Sequence, residues 1–96
     1  MDRLKIVSVA PDISNLVFNP IWKNCIGEIL MYNPKVKQNQ IVKQGQPLAS
    51  METSRGIMTV FSPINGKIIN IERSFLDNPC EMDSNVSLFT IRERNE

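Results

Sequence analysis

Short apolar runs alternate with turn residues along the whole chain, and no run is longer than a few residues. LKIVSVA (4–10) is a β-branched run stopped by Pro11-Asp12, which predicts a strand and then a turn. ISNLVF (13–18) predicts a second extended segment. Asn19-Pro20 predicts a helix start, with Asn as N-cap and Pro in the first helical position. Ile21, Trp22, Cys25 and Ile26 follow at helical spacing, and Gly27 can close the helix in a left-handed conformation. About two turns of helix are not stable alone, so the apolar face must pack on something.

The pattern then repeats as strand and turn. EILMYN (28–33) is stopped by Pro34, and IVKQGQ (41–46) holds a Gly turn before LASME (48–52). RGIMTVF (55–61), KIINIE (67–72) and VSLFTI (86–91) alternate, while SFLDNPCEM (74–82) is mixed, with Asp77-Asn78-Pro79 a turn or a helix start. Seven or eight short strands and one or two short helices predict one mainly β domain over residues 1–96, a small β-sandwich or barrel. The expected core is Ile6, Leu16, Phe18, Ile26, Ile29, Met31, Leu48, Met58, Val60, Ile69, Ile71, Leu88 and Phe89. Trp22 is expected to pack in the core or at its rim, and Met31, Met51 and Met58 to fill gaps between strands. VKQGQPLASME and SPINGKIINIE each run from a Gly turn into a strand ending in Glu, which suggests two quasi-equivalent halves.

Composition narrows the function. A formal charge of +1 gives no basic excess for phosphate-driven nucleic-acid binding. No run is long enough to span a membrane. The N-terminal MDRLKIVSVAPD carries charges without a sustained apolar segment, so it does not read as a signal peptide. The expected location is the cytosol, or an organelle matrix if a targeting segment has been removed. The chain has no histidine, which removes the commonest general base and the imidazole ligand of metal sites. Cys25 and Cys80 share no CxxC spacing, so no zinc site is expected; they read as buried or half-buried thiols, with a disulfide as the alternative.

The most regular feature is METSRGIMTVF (51–61): two apolar-alternating arms around a polar tip, Glu52, Thr53, Ser54, Arg55 and Gly56. Gly next to the tip supplies the positive φ that tight hairpins often need. Such a hairpin either turns a corner or presents tip side chains, on a rigid scaffold and pointing into solvent, to another protein.

Several features in order resemble the biotinyl/lipoyl-carrier fold, and more closely the H-protein of the glycine cleavage system. A Gly turn, Val42-Lys43-Gln44-Gly45, leads to a strand ending in Glu52; Ser62-Pro63 follows; then come Gly66 and KIINIE. Phe75-Leu76-Asp77-Asn78-Pro79 and the helix running into Ile26-Gly27-Glu28-Ile29 are similar to further H-protein segments. Asp83-Ser84-Asn85-Val86 departs from the family's Gly- and Trp-containing lead into its last strand. The resemblance implies a flattened barrel of two sheets.

It also implies a role for the tip. The family's lipoyl lysine stands three residues after the Glu and eight before the Pro, and here Arg55 has both spacings. Lipoate attachment needs an amine that can lose its proton, whereas a guanidinium stays protonated and is not a usable nucleophile. The resemblance therefore implies a non-lipoylated, H-protein-like binding or regulatory domain with no cofactor expected. It would act on another protein, such as a glycine-cleavage or lipoate-handling enzyme, through Glu52, Thr53, Ser54, Arg55 and Gly56. Arg55 would either anchor a partner's carboxylate or stand as a solvated charge paired with Glu52. The alternative is a carrier modified at another exposed lysine, Lys43 or Lys67. An enzyme is not expected. The carboxylates Asp12, Glu28, Glu52, Glu72, Asp77, Glu81 and Asp83 are scattered, and no nucleophile motif or phosphate loop is present.

Overall fold

The structure, a computed structural model, describes residues 2–94. Among them, eight strands follow the predicted runs closely: β1 (Leu4–Ala10), β2 (Ile13–Phe18), β3 (Ile29–Pro34), β4 (Ile41–Val42), β5 (Pro47–Thr53), β6 (Gly56–Phe61), β7 (Gly66–Ile71) and β8 (Phe89–Glu93). One helix, α1 (Pro20–Cys25), and one 3-10 turn, Pro79–Glu81, complete the order. The strands form a five-stranded sheet, β1-β2-β8-β7-β4, and a three-stranded sheet, β3-β5-β6. All strand pairs are antiparallel. Phe18, Leu16, Phe89, Ile91 and Ile68 of the large sheet and Ile29, Leu48 and Val60 of the small one are fully buried between them. The mainly β sandwich with short helices is as predicted.

The helix carries the chain from one sheet to the other. The Asn19 side chain accepts from the Ile21 N–H at 3.0 Å, and Pro20 opens the first turn. Trp22 and Ile26, one turn apart, are buried, with Trp22 6.0 Å from the Phe18 ring. Ile21 and Cys25, expected on the same packed face, are exposed, because so short a helix buries only one narrow stripe. Arg3 closes the same edge of the sandwich. Its Nη1 donates to Thr59 O of β6 at 2.5 Å, and its guanidinium lies 5.5 Å from the Trp22 ring and 5.8 Å from the Phe61 ring.

Bulges correct the expected core. In β3 the register steps from Ile29↔Thr53 to Met31↔Glu52, so Leu30 is an extra residue and the faces switch. Ile29 and Tyr32 point inward, while Met31, expected in the core, is exposed. In β7 the register steps from Ile68↔Ile91 to Asn70↔Thr90. The extra residue is Ile69, so Ile68 and Ile71 are buried and Ile69 is only half-buried. Ile6 is exposed for a different reason. It lies on the edge strand β1, and three strands cannot cover all five. Met58 is half-buried against the core, and Met51 is buried. The last strand starts later than its alternation suggests. Asp83 caps a turn by accepting from Asn85 N–H at 2.8 Å, and Leu88 and Phe89 are buried in succession. The two Gly turns lie side by side, with Gln44 N–H on Asn65 Oδ1 at 2.7 Å and Gly45 N–H on Ser62 O at 2.8 Å. The strands that follow them, β5 and β7, belong to different sheets.

The bulges make a paired prediction. Ile68→Ala is expected to cost about 2–5 kcal/mol, whereas Met31→Ser is expected to stay within about 0.5 kcal/mol, both read by urea unfolding. Tyr32, the chain's one tyrosine, supplies a second. Its hydroxyl is buried with no hydrogen-bond partner among the described residues, and burial, helped by the Glu72 carboxylate, raises its pKa. The folded protein keeps the phenolic proton where the unfolded chain loses it. The resulting stability is therefore full below about pH 10 and falls above it. Phenolate absorbance is expected to rise only together with unfolding.

Candidate functional site

The β5–β6 ladder closes at the Thr53↔Gly56 pair, so the turn proper is Ser54-Arg55. Gly56 has φ +129°, as the hairpin pattern predicts. Thr53 is buried and ties the turn together. Its hydroxyl donates to Gly56 O at 3.0 Å and accepts from the Arg55 N–H at 3.1 Å.

The tip does not stand free in solvent, as the sequence suggests. It is folded against the end of α1 and the start of β3. Ser54 N–H donates to Glu28 O at 2.9 Å, and the Ser54 hydroxyl accepts from Glu28 N–H at 3.0 Å. Gly27 makes the approach possible. Its φ is +80°, and a Cβ there would collide with the Ser54 hydroxyl and stand 3.2 Å from Arg55 Cγ. Arg55 lies back over this junction, and its Nη1 donates to Cys25 O at 3.0 Å. That carbonyl is among those a helix C-terminus leaves without intrahelical partners, and a cation is favoured there. The bond is solvent-exposed, so its worth is under about 1 kcal/mol. Among the described residues no ion pair joins Arg55 to Glu52, contrary to the sequence-based alternative; an ion pair does join Arg92 to Asp12, at 3.8 Å.

Glu52 is exposed on the outer side of the small sheet, opposite Met31 on one side and Ile57 on the other. The five expected tip residues are thus brought together, but with Gly27, Glu28 and the Cys25 carbonyl as unforeseen supports. Only Gly27, read as a helix-closing residue, signalled any of this. Of the alternative lysines, Lys43 is exposed in the turn after β4, while Lys67 is half-buried within β7. Cys25 and Cys80 are both exposed and unbonded, not buried. The short helix leaves Cys25 outside its packed stripe, and Cys80 lies on the outer side of the 3-10 turn, whose Pro79 is the buried residue. Among the described residues no three Cys, Asp or Glu side chains gather closely enough to hold a metal ion, and no helix is long and apolar enough to cross a membrane. Glu72 accepts from the hydroxyl and the N–H of Ser74 at 2.6 and 2.9 Å, which holds its carboxyl below the usual range.

Comparison with known proteins agrees with this fold. The family model described as glycine cleavage H-protein matches residues 7–86. The fold is similar to the crystal structure of a glycine cleavage system H protein from Mycobacterium marinum, with a TM-score of 0.76 over 94% of this chain and 76% of that one. At 14% identity this is a likeness of fold alone. No curated protein sequence matches the chain.

The junction can be tested by two substitutions. Gly27→Ala is expected to lose about 2 kcal/mol or more, since it adds positive-φ strain to a collision. Arg55→Ala is expected to lose under about 1 kcal/mol. Urea midpoints of the two variants measure both.

Proposed function

Because the chain belongs to the glycine cleavage H-protein family, we propose that it is an H-protein-type domain that binds other proteins without carrying lipoate. Arg55 stands where the family's lipoyl lysine is expected, three residues after Glu52 and eight before Pro63. The observation that carries the reading is the Arg55 Nη1 hydrogen bond to Cys25 O at 3.0 Å. It gives the arginine a structural task, bracing the tip against α1, that a swinging arm could not perform.

The tip chemistry supports the same reading. Lipoate is joined to its carrier by an amide, and forming that amide needs a neutral amine as nucleophile. A guanidinium is delocalised and protonated at any physiological pH, so the tip does not fit covalent attachment. Thr53 and Ser54 are spent on holding the turn rather than on any reacting group. What remains available to a partner is the shape of the braced tip and the exposed Glu52. The partner class follows from the family: an enzyme of glycine cleavage or of lipoate handling, engaged in a regulatory or competitive way.

Intact mass tests the reading directly. The protein made in lipoate-replete cells with an active lipoate ligase is expected to have its unmodified mass. Arg55→Lys, made in the same cells, is expected to gain one lipoyl group. A lipoyl group on the unaltered chain, at Lys43, Lys67 or another amine, would establish the carrier alternative instead.

A further inference from the structure

We propose that the tip end of the small sheet's outer face docks a basic, apolar segment of a partner protein, with Glu52 as the charged contact. The proposal rests on the reading of the tip as a protein-binding end, and it names the chemistry of what binds there. Met31, Glu52 and Ile57 form one cross-strand row on β3, β5 and β6. Side chains so placed stand about 5 Å apart and present one continuous surface. The β3 bulge enlarges it. An unbroken strand would turn one of two consecutive residues inward, but here Leu30 and Met31 both face solvent, 54% and 58% exposed. Ile57 is 76% exposed, the highest value among the large apolar residues. Met is well suited to such a surface, because its unbranched, polarisable side chain adapts to varied partners.

Charge selects the occupant. The Glu52 carboxylate makes no hydrogen bond or ion pair among the described residues. Glu28 is exposed at the rim beside Ser54, and its carboxylate is equally free; only its backbone is engaged. The nearby cation, Arg55, is committed to Cys25 O. Neither carboxylate is paired with Arg55, so both face solvent beside the apolar row in a protein whose net charge is +1. A segment bringing Lys or Arg between apolar side chains satisfies both features, and an acidic one is repelled. A second copy of this chain fits poorly. A two-fold contact would place the patch against itself and oppose carboxylate to carboxylate.

The test is a titration of the isotope-labelled full chain with a synthetic peptide alternating Leu and Lys, followed by backbone amide shifts. Shifts are expected at Leu30, Met31, Glu52 and Ile57. Glu52→Lys is expected to weaken binding about tenfold and to confer binding of the counterpart peptide alternating Leu and Glu. Ile57→Ser is expected to weaken binding of the Lys peptide without the charge preference changing. Both positions are exposed, and unchanged amide spectra elsewhere verify that the variants fold. Failure of the Lys peptide to bind, shifts that map elsewhere, equal affinity in Glu52→Lys, or concentration-dependent self-association through this row would each overturn the proposal. The mass measurement is independent: an unmodified mass with no docking at this row removes only this proposal, whereas a lipoyl adduct removes the preceding one.

Discussion

The architecture turns on a contact in which no side chain fits. Between the last turn of α1 and the hairpin tip, Gly27 and Ser54 approach so closely that a β-carbon at Gly27 would overlap the serine hydroxyl. That approach lets the two hydrogen bonds between Ser54 and Glu28 form, one between backbones and one to the serine hydroxyl, which in turn fix where β3 begins. Because β3 pairs with β5, the same contact sets the small sheet against the helix that joins it to the large one. The hairpin is therefore part of the frame. Its position depends on residues about thirty places earlier in the chain, and the Arg55 bond, spanning 30 residues, reinforces the same closure.

Faces, not strands, were the difficult part to read. Alternation located the strands well because β-branched runs bounded by Pro, Gly and Asn leave few other conformations. It placed Leu16, Phe18 and Phe89 in the core, where they lie, since no bulge interrupts the pairing of β2 at these positions. It failed at Met31 and Ile69 for one shared cause. Each lies at a bulge, where a single added residue reverses the parity of everything beyond it. Nothing local in EILMYN or KIINIE marks the inserted residue, because the choice is made by the partner strand and by the core it must meet. The tip shows the complementary limit. Its turn chemistry, Thr53 through Gly56, was legible from adjacent residues. The support from Cys25, Gly27 and Glu28 was not, because hydrogen bonds between distant backbone groups leave no residue-type signature.

Lysine and arginine carry the same charge at a solvated tip but are not interchangeable. At this junction the planar guanidinium of Arg55 reaches a helix-end carbonyl with a fork of donors and a fixed charge. The consequence runs outward as well. With its guanidinium on Cys25 O, Arg55 pairs with neither Glu28 nor Glu52, and both carboxylates stand beside the exposed Met31 and Ile57.

Arg3 has a consequence of another kind. Its guanidinium stacks on Trp22, the only tryptophan in the chain, while its Nη1 reaches across to the opposite sheet. The indole thus lies between a cation, the Phe18 ring and the helix that ends at the tip. Any event that parts the sheets at this edge must lift the charge off the ring. The protein thereby contains its own optical strain gauge, in which the emission of one native residue reports whether the sandwich is shut.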